Sequence, residues 1–275
     1  MLSLLYISNN GSGWTGMSAK QHIILIHGTW CTGDSWGDFV PALQALGLTV
    51  HTPTLRYHDL PMAEGAEKVA SVSLTDYVDD LSQLLLSLDS PPIILGHSLG
   101  GLLAQLLAAR HPDRHKGIVL LGPAPMAGIF ALYPTMLAAF YRHYLQWGFW
   151  KKPLFPTEDR VFKYCMNHQP EHLRQQFYRG LVAESGRVYA EMAFWFLDRK
   201  KAATVDTDAI QTPVLVISGT DDKIVVAKIA KATAKKYKNA TYIELKGSDH
   251  MYDMGQFMPQ TVALIDTWMQ QYHFK

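Results

Sequence analysis

The chain has 275 residues, 48% of them hydrophobic and 18% charged, which suits one large folded α/β domain and excludes extensive disorder. Its 25 basic and 24 acidic residues leave a formal charge of +1, so no net field would attract nucleic acid or an anionic membrane. Two cysteines, Cys31 and Cys165, lie far apart in sequence and form no disulfide framework, which points to a reducing, cytoplasmic compartment.

Residues 1–20 begin with a short apolar stretch that no basic residue precedes. Asn9-Asn10-Gly11-Ser12-Gly13 stands where a signal peptide would carry its cleavage site. A flexible leader is expected there, with Met17 as an alternative start. No run reaches the length of a membrane-spanning helix, so no stable membrane anchor is expected. His22–Ile26 reads as a buried strand, 36–46 as an amphipathic helix ended by Gly47, and 48–52 as the next strand. Residues 53–73, rich in Pro, His and Gly, read as a loop. Ser73-Leu74-Thr75-Asp76 then caps a helix with Tyr77, Leu81, Leu84, Leu85 and Leu88 on one face. Further strands are expected at 92–95, 117–121, 213–217 and 240–245, with helices from 99, over 225–237 and over 259–272. The lysines of 228–231 and 235–238 read as a solvated helix face. Apolar strands separated by helices predict a mostly parallel sheet covered on both faces.

Residues 123–212 break the alternation. They carry helical patterns at 134–147, 157–167, 170–183 and 185–201, no strand-like run, and many aromatic residues. An all-helical insertion between two sheet strands sits at the carboxyl edge of the sheet, as a lid. The domain reading is therefore a leader (1–20), a core (21–122 and 213–275) and a helical lid (123–212). Most lid aromatics serve helix packing; Phe194 and Trp195, with Trp30 of the core, are assigned to an apolar substrate cavity.

The chemistry is concentrated at Gly96-His97-Ser98-Leu99-Gly100-Gly101, between a buried strand and a helix. A serine at the tip of such a turn is strained clear of the sheet, and the glycines leave room for neighbouring backbone. Leu99 N–H, at the helix N-terminus, points at whatever the serine attacks. His250, in a polar loop after the last strand, is the candidate general base; His97 and His27 read as packing and loop-shaping residues. The orienting acid is Asp222 or Asp221, both in the loop after strand 213–217. The second oxyanion donor is Thr29 N–H, with Trp30 as the next candidate, because Gly28 lets the backbone approach. Cys31 has no such turn around it and is set aside as a nucleophile.

These elements resemble the α/β-hydrolase superfamily, in its lid-bearing esterase and lipase branch. The matching residues are His27-Gly28 after a strand, the Ser98 turn, Gly219-x-x-Asp222-x-Ile224-Val225, and His250 after the last strand. The resemblance covers 22 to the C-terminus outside the lid, and implies Asp222 as the acid. Two departures stand out: few residues precede the first strand, so two initial antiparallel strands are short or missing, and Val226 replaces a common proline. The resemblance implies ester hydrolysis through an acyl-enzyme, on a small-molecule ester with a hydrophobic acyl or alcohol group, without metal or organic cofactor. The alternatives are a cofactor-free lyase resembling hydroxynitrile lyases, with Thr29 supplying a hydroxyl, and a non-catalytic ligand-binding homologue. Dehalogenase chemistry is disfavoured, since it needs a carboxylate where Ser98 stands.

Overall fold

The structure, a computed structural model, describes residues 21–274. The expected leader lies outside the described residues. Among the described residues eight strands occur: β1 (His22–Ile26), β2 (Thr49–His51), β3 (Ile93–His97), β4 (Gly117–Leu121), β5 (Pro153–Leu154), β6 (Glu184–Ser185), β7 (Val214–Gly219) and β8 (Ala240–Leu245). Six of them form one sheet in the order β2-β1-β3-β4-β7-β8, with every pairing parallel. The four inner strands are buried along nearly their whole length, which is why their sequences are unbroken apolar runs such as Ile23-Ile24-Leu25-Ile26. The polar residues Thr49, His51, Thr241 and Glu244 fall on the two edge strands.

Helices cover both faces. Helices α1 (Phe39–Ala45) and α10 (Met258–Gln271) pack Phe39, Leu43, Ile265 and Trp268 against Ile23, Leu25 and Leu121. The opposite face takes α2 (Met62–Val69), α3 (Leu74–Ser87), α4 (Leu99–Arg110) and α9 (Ala227–Ala234). Ser73 caps α3 as its sequence predicts: its hydroxyl accepts from Asp76 N, and the Asp76 carboxylate accepts from Ser73 N. Helix α4 is buried almost all round; its Gln105 side chain donates to Gly101 O and accepts from Tyr237 OH.

The loop expected over 53–73 contains α2. Pro61 and Gly65 mark a loop by sequence, but Ala66 and Val69 are buried in the core, and a Cβ on Gly65 would come 2.8 Å from Tyr57 O. Tertiary packing overrides local propensity there.

The long β4–β7 connection holds α5 (Pro134–Tyr144), α6 (Glu158–Arg160) continuing into a π-turn (Val161–Cys165), α7 (Glu171–Arg179) and α8 (Gly186–Ala193). It is helical as expected except for the antiparallel pair β5–β6, with Pro153 opposite Ser185 and Leu154 opposite Glu184. Two residues per strand are too short to leave a pattern in sequence. Among the described residues no helix is long and apolar enough to cross a membrane.

Candidate active site

Ser98 sits between β3 and α4 with φ 53° and ψ −118°, a conformation that costs a non-glycine residue about 1–3 kcal/mol. The turn is pinned: Ser98 N donates to Leu121 O (3.0 Å), and Ser98 O accepts from Gly101 N (2.9 Å) and Ala124 N (2.8 Å). The flanking glycines are obligatory. A Cβ on Gly96 would strike the Gly100 carbonyl, and one on Gly100 would strike the carbonyl of Ile26 in β1. Gly101 gives the third close approach, 2.8 Å from Pro123 Cα.

His250 follows β8 and is nearly buried. Its Nδ1 lies 2.7 Å from Asp222 Oδ2, which fixes the proton on Nδ1 and leaves Nε2 unprotonated. Asp222 is held at both oxygens. Oδ1 accepts from Ile224 N and Val225 N (both 2.8 Å), and Oδ2 also accepts from Tyr252 OH (2.6 Å), whose oxygen accepts from Gly219 N (3.0 Å). Asp221, the other aspartate of the loop, points elsewhere: it is half-exposed and bonds His168 Nε2 at 2.8 Å. Hydrogen bonds from Thr220 and His168 hold its carboxyl below the usual range.

His97 Nε2 donates to the carbonyl of His250 (2.8 Å), and burial with the neighbouring His250 pushes its pKa down to about 3, so it stays neutral. His27 is likewise lowered to about 3 by burial, then by His58. Its Nδ1 donates to Gly28 O (2.8 Å) and its Nε2 accepts from Leu55 N (3.0 Å). A Cβ on Gly28 would lie 3.2 Å from Ser98 Cβ, so the following residues Thr29 and Trp30 pass beside the serine. Trp30 has φ 63°, a left-handed conformation unusual for a bulky side chain. Among the described residues, neither Thr29 N–H nor Trp30 N–H has a protein acceptor.

Ser98, Leu99, His250, Thr29 and Trp30 line one cavity. Its other walls are mostly apolar, chiefly Met136, Phe140, Tyr144, Phe177, Tyr189 and Met192, and among the described residues no Asp, Glu, Lys or Arg side chain lines it. The space open to the centre of a water molecule is about 60 Å³. Cys31 and Cys165 also border it, but burial pushes the Cys31 thiol up to about 12 and raises that of Cys165, so neither is a thiolate at neutral pH.

The structure departs from sequence expectation at Phe194 and Trp195, which do not line this cavity. Phe194 packs on Tyr144 and Phe149 and borders a separate groove with Trp150 and Leu197. Helix α8 ends at Ala193, so these residues leave the helical face that carries Tyr189 and Met192 inward. Sequence reasoning also missed Tyr252, and a buried cluster of His58, Tyr77 and Glu184. Isolated polar residues from distant segments carry no periodic or spacing signal.

A parallel sheet with a strained serine at the β3–α4 turn, on one cavity with a histidine from the loop after β8 that bonds an aspartate from the loop after β7, is the arrangement of an α/β-hydrolase. The chain belongs to the alpha/beta hydrolase family, whose model matches residues 23–263. It is similar to a pimeloyl-[acyl-carrier protein] methyl ester esterase of Neisseria meningitidis serogroup C, with 31% identity over 84% of this chain and 87% of that protein. It is also similar to a pyrethroid hydrolase of Sphingobium wenxiniae, with 36% identity over 99 residues; that match spans 36% of this chain and about a third (34%) of the relative. Among solved structures, a monoacylglycerol lipase of Paleococcus ferrophilus shares the fold (TM-score 0.67, 21% identity, covering 91% of this chain and 94% of that one).

Proposed function

We propose that the protein hydrolyses a carboxylic ester through an acyl-enzyme on Ser98. The observation that carries this reading is the 2.7 Å His250–Asp222 contact at the cavity that also holds Ser98. Ser98 Oγ attacks the ester carbonyl as His250 Nε2 takes its proton. Leu99 N–H and Thr29 N–H receive the oxyanion, Trp30 N–H being the alternative second donor. Collapse expels the alcohol, which takes the proton from His250. Water, deprotonated by His250, then releases the acid.

The apolar walls favour a hydrophobic acyl or alcohol group, with Trp30 at the cavity edge and residues 123–212 acting as the lid over the core. The similarity to a methyl ester esterase supports the same bond type, and that to a pyrethroid hydrolase supports hydrolysis. The free thiols of Cys31 and Cys165 fit a cytoplasmic location. The lyase alternative is less favoured, because the Thr29 hydroxyl turns to Glu184 (3.4 Å) and, among the described residues, no lysine borders the cavity.

A fluorophosphonate probe and a p-nitrophenyl ester panel test the reading. Labelling and turnover by the native chain, both lost in Ser98→Ala, are expected. A native chain that neither labels nor turns over any ester would leave the binding-protein alternative standing.

A further inference from the structure

Behind the loop that passes Ser98 lies a charged group that the proposed chemistry does not use. Glu184, in β6, is fully buried. Its Oε1 accepts from Tyr77 OH (2.7 Å) and Ser185 N (2.7 Å), and lies 3.6 Å from His58 Nε2, whose side chain is also fully buried. Its Oε2 accepts from Thr29 Oγ1 at 3.4 Å. His58 Nδ1 donates to Cys31 O (2.8 Å), and its Nε2 is 3.2 Å from Tyr77 OH.

Counting protons over this cluster favours an ion pair. The Tyr77 hydroxyl proton goes to Glu184 at the shorter distance, so His58 Nε2 must carry a proton of its own to meet an oxygen lone pair. Burial opposes both charges and is the largest single influence on each, but the partner's charge and the surrounding hydrogen bonds together outweigh it. Glu184 sits below its ordinary value, held there by His58, Tyr77 and Ser185 N, and His58 sits above its own.

The cluster bears on catalysis through what it grips. The carbonyls of residues 28, 30 and 31 are all engaged: Gly28 O by His27, Trp30 O by Val182 N (2.7 Å), and Cys31 O by His58. The Trp30 indole donates to Leu154 O (2.9 Å) and the Thr29 hydroxyl to Glu184. Three of these partners, Leu154, Val182 and Glu184, belong to the β4–β7 connection, in or beside the small β5–β6 pair. The loop that carries the candidate oxyanion donors is thus held from one side by the core and from the other by the connection. With these three carbonyls held, the Thr29 and Trp30 N–H groups, which have no protein acceptor among the described residues, stay free.

We propose that Glu184 is a positioning residue for the oxyanion loop: its buried carboxylate, acting on the Thr29 side chain and through His58 on Cys31 O, sets the loop that places the Thr29 N–H beside Ser98. This rests on the hydrolase reading above. It makes the β5–β6 pair part of the catalytic scaffold as well as a cover over the cavity. Donors placed in advance stabilise the transition state more than the bound ester, so a fault in their placement is read in kcat.

The test is Glu184→Gln, with Thr29→Val as a second variant that disturbs the same connection without removing a buried charge. On p-nitrophenyl acetate each is expected to lower kcat by about 10- to 100-fold, with KM held within about twofold. A trifluoromethyl ketone, which mimics the tetrahedral adduct, should weaken by the same factor as kcat/KM. The double variant should lose about as much as the worse single one, because both cut one connection. Two results overturn the proposal: a folded Glu184→Gln or Thr29→Val enzyme with kcat within twofold of the native one, or single losses that multiply in the double variant. A purely structural role would lower the melting temperature and leave kcat per folded, probe-labelled site untouched. A native enzyme that labels and turns over ester while the variants match it strikes this proposal alone; one that does neither removes the hydrolase reading and this with it.

Discussion

Asp222→Asn is the sharpest perturbation of the candidate site, because the asparagine has the same shape and too few acceptors. The carboxylate receives four donors: Ile224 N and Val225 N at Oδ1, His250 Nδ1 and Tyr252 OH at Oδ2. An amide offers one oxygen and one NH2 group. The two backbone donors cannot turn away, so the amide oxygen goes to them and the NH2 faces His250 and Tyr252. The hydroxyl can rotate and accept. His250 can accept at Nδ1 only by moving its proton to Nε2, the nitrogen to which the proposed mechanism gives the proton of Ser98. The wrong tautomer is then the stable one, and the known cost of that fault in the serine-protease triad is about 10⁴ in kcat, or about 5 kcal/mol of barrier. Asp221→Asn is the control: its partner is the half-exposed His168, and such surface pairs contribute about 0–1 kcal/mol. Steady-state rates on p-nitrophenyl acetate, normalised to fluorophosphonate-reactive sites of the parent and checked by thermal melts, separate the two. An Asp222→Asn enzyme with more than a tenth of native kcat, or an Asp221→Asn enzyme equally damaged, would refute the assignment.

Gly100→Ala drives a Cβ into the Ile26 carbonyl, where only backbone could yield. It should cost at least about 3 kcal/mol and lower the melting temperature by about 6–12 °C; a melt within 2 °C of the parent would contradict the packing of the turn. Acid should destabilise the fold before its ordinary carboxylates titrate. Burial lowers His27 and His97 to about 3 and His115 to about 4, so as pH falls below 6.5 the unfolded chain binds protons that the fold refuses. Each such histidine removes about 1.4 kcal/mol of stability per pH unit, fully regained above 6.5, while Asp253, raised by burial to about 6, opposes one of them. Urea midpoints at pH 7 and pH 5 should therefore differ clearly, and equal midpoints would refute the buried neutral histidines. With only about 60 Å³ open to the centre of a water molecule, the cavity should prefer acyl chains of two to four carbons, and octanoate should fall at least about tenfold in kcat/KM. Octanoate turned over as well as butyrate would mean that the cavity widens by displacement of its cover.

The sheet was legible because strands buried on both faces must be apolar throughout. His22–Ile26 and Gly117–Leu121 coincide with their sequence runs to the residue, as does the partly exposed edge strand Ala240–Leu245. Helix ends shifted more. The helix expected over 225–237 runs only over Ala227–Ala234, because Val226, its N-cap, keeps a ψ of 144°, outside the helical range. The Ser98 turn was legible for a different reason: two glycines at fixed spacing record steric contacts with Gly100 O and Ile26 O that any residue with a Cβ would violate.

What sequence could not resolve is which of several chemically suitable side chains points inward, since that is decided by partners far along the chain. Asp221 and Asp222 share one loop and one residue type. Tyr252, thirty positions downstream, turns the second toward His250, and His168, from the β4–β7 connection, turns the first toward solvent. The same holds for the aromatics. Tyr189 and Met192 lie one helical turn apart on α8 and line the cavity, whereas Phe194, past the end of that helix, packs on the far side of Tyr144. Composition told that the connection is apolar; only the point where α8 stops decides which of its rings a substrate would touch. Glu184 is the extreme case. A lone glutamate in a two-residue strand has no sequence signature, yet it bonds Tyr77 in α3 and Thr29 beside Ser98, and so ties the least legible part of the chain to the most legible one.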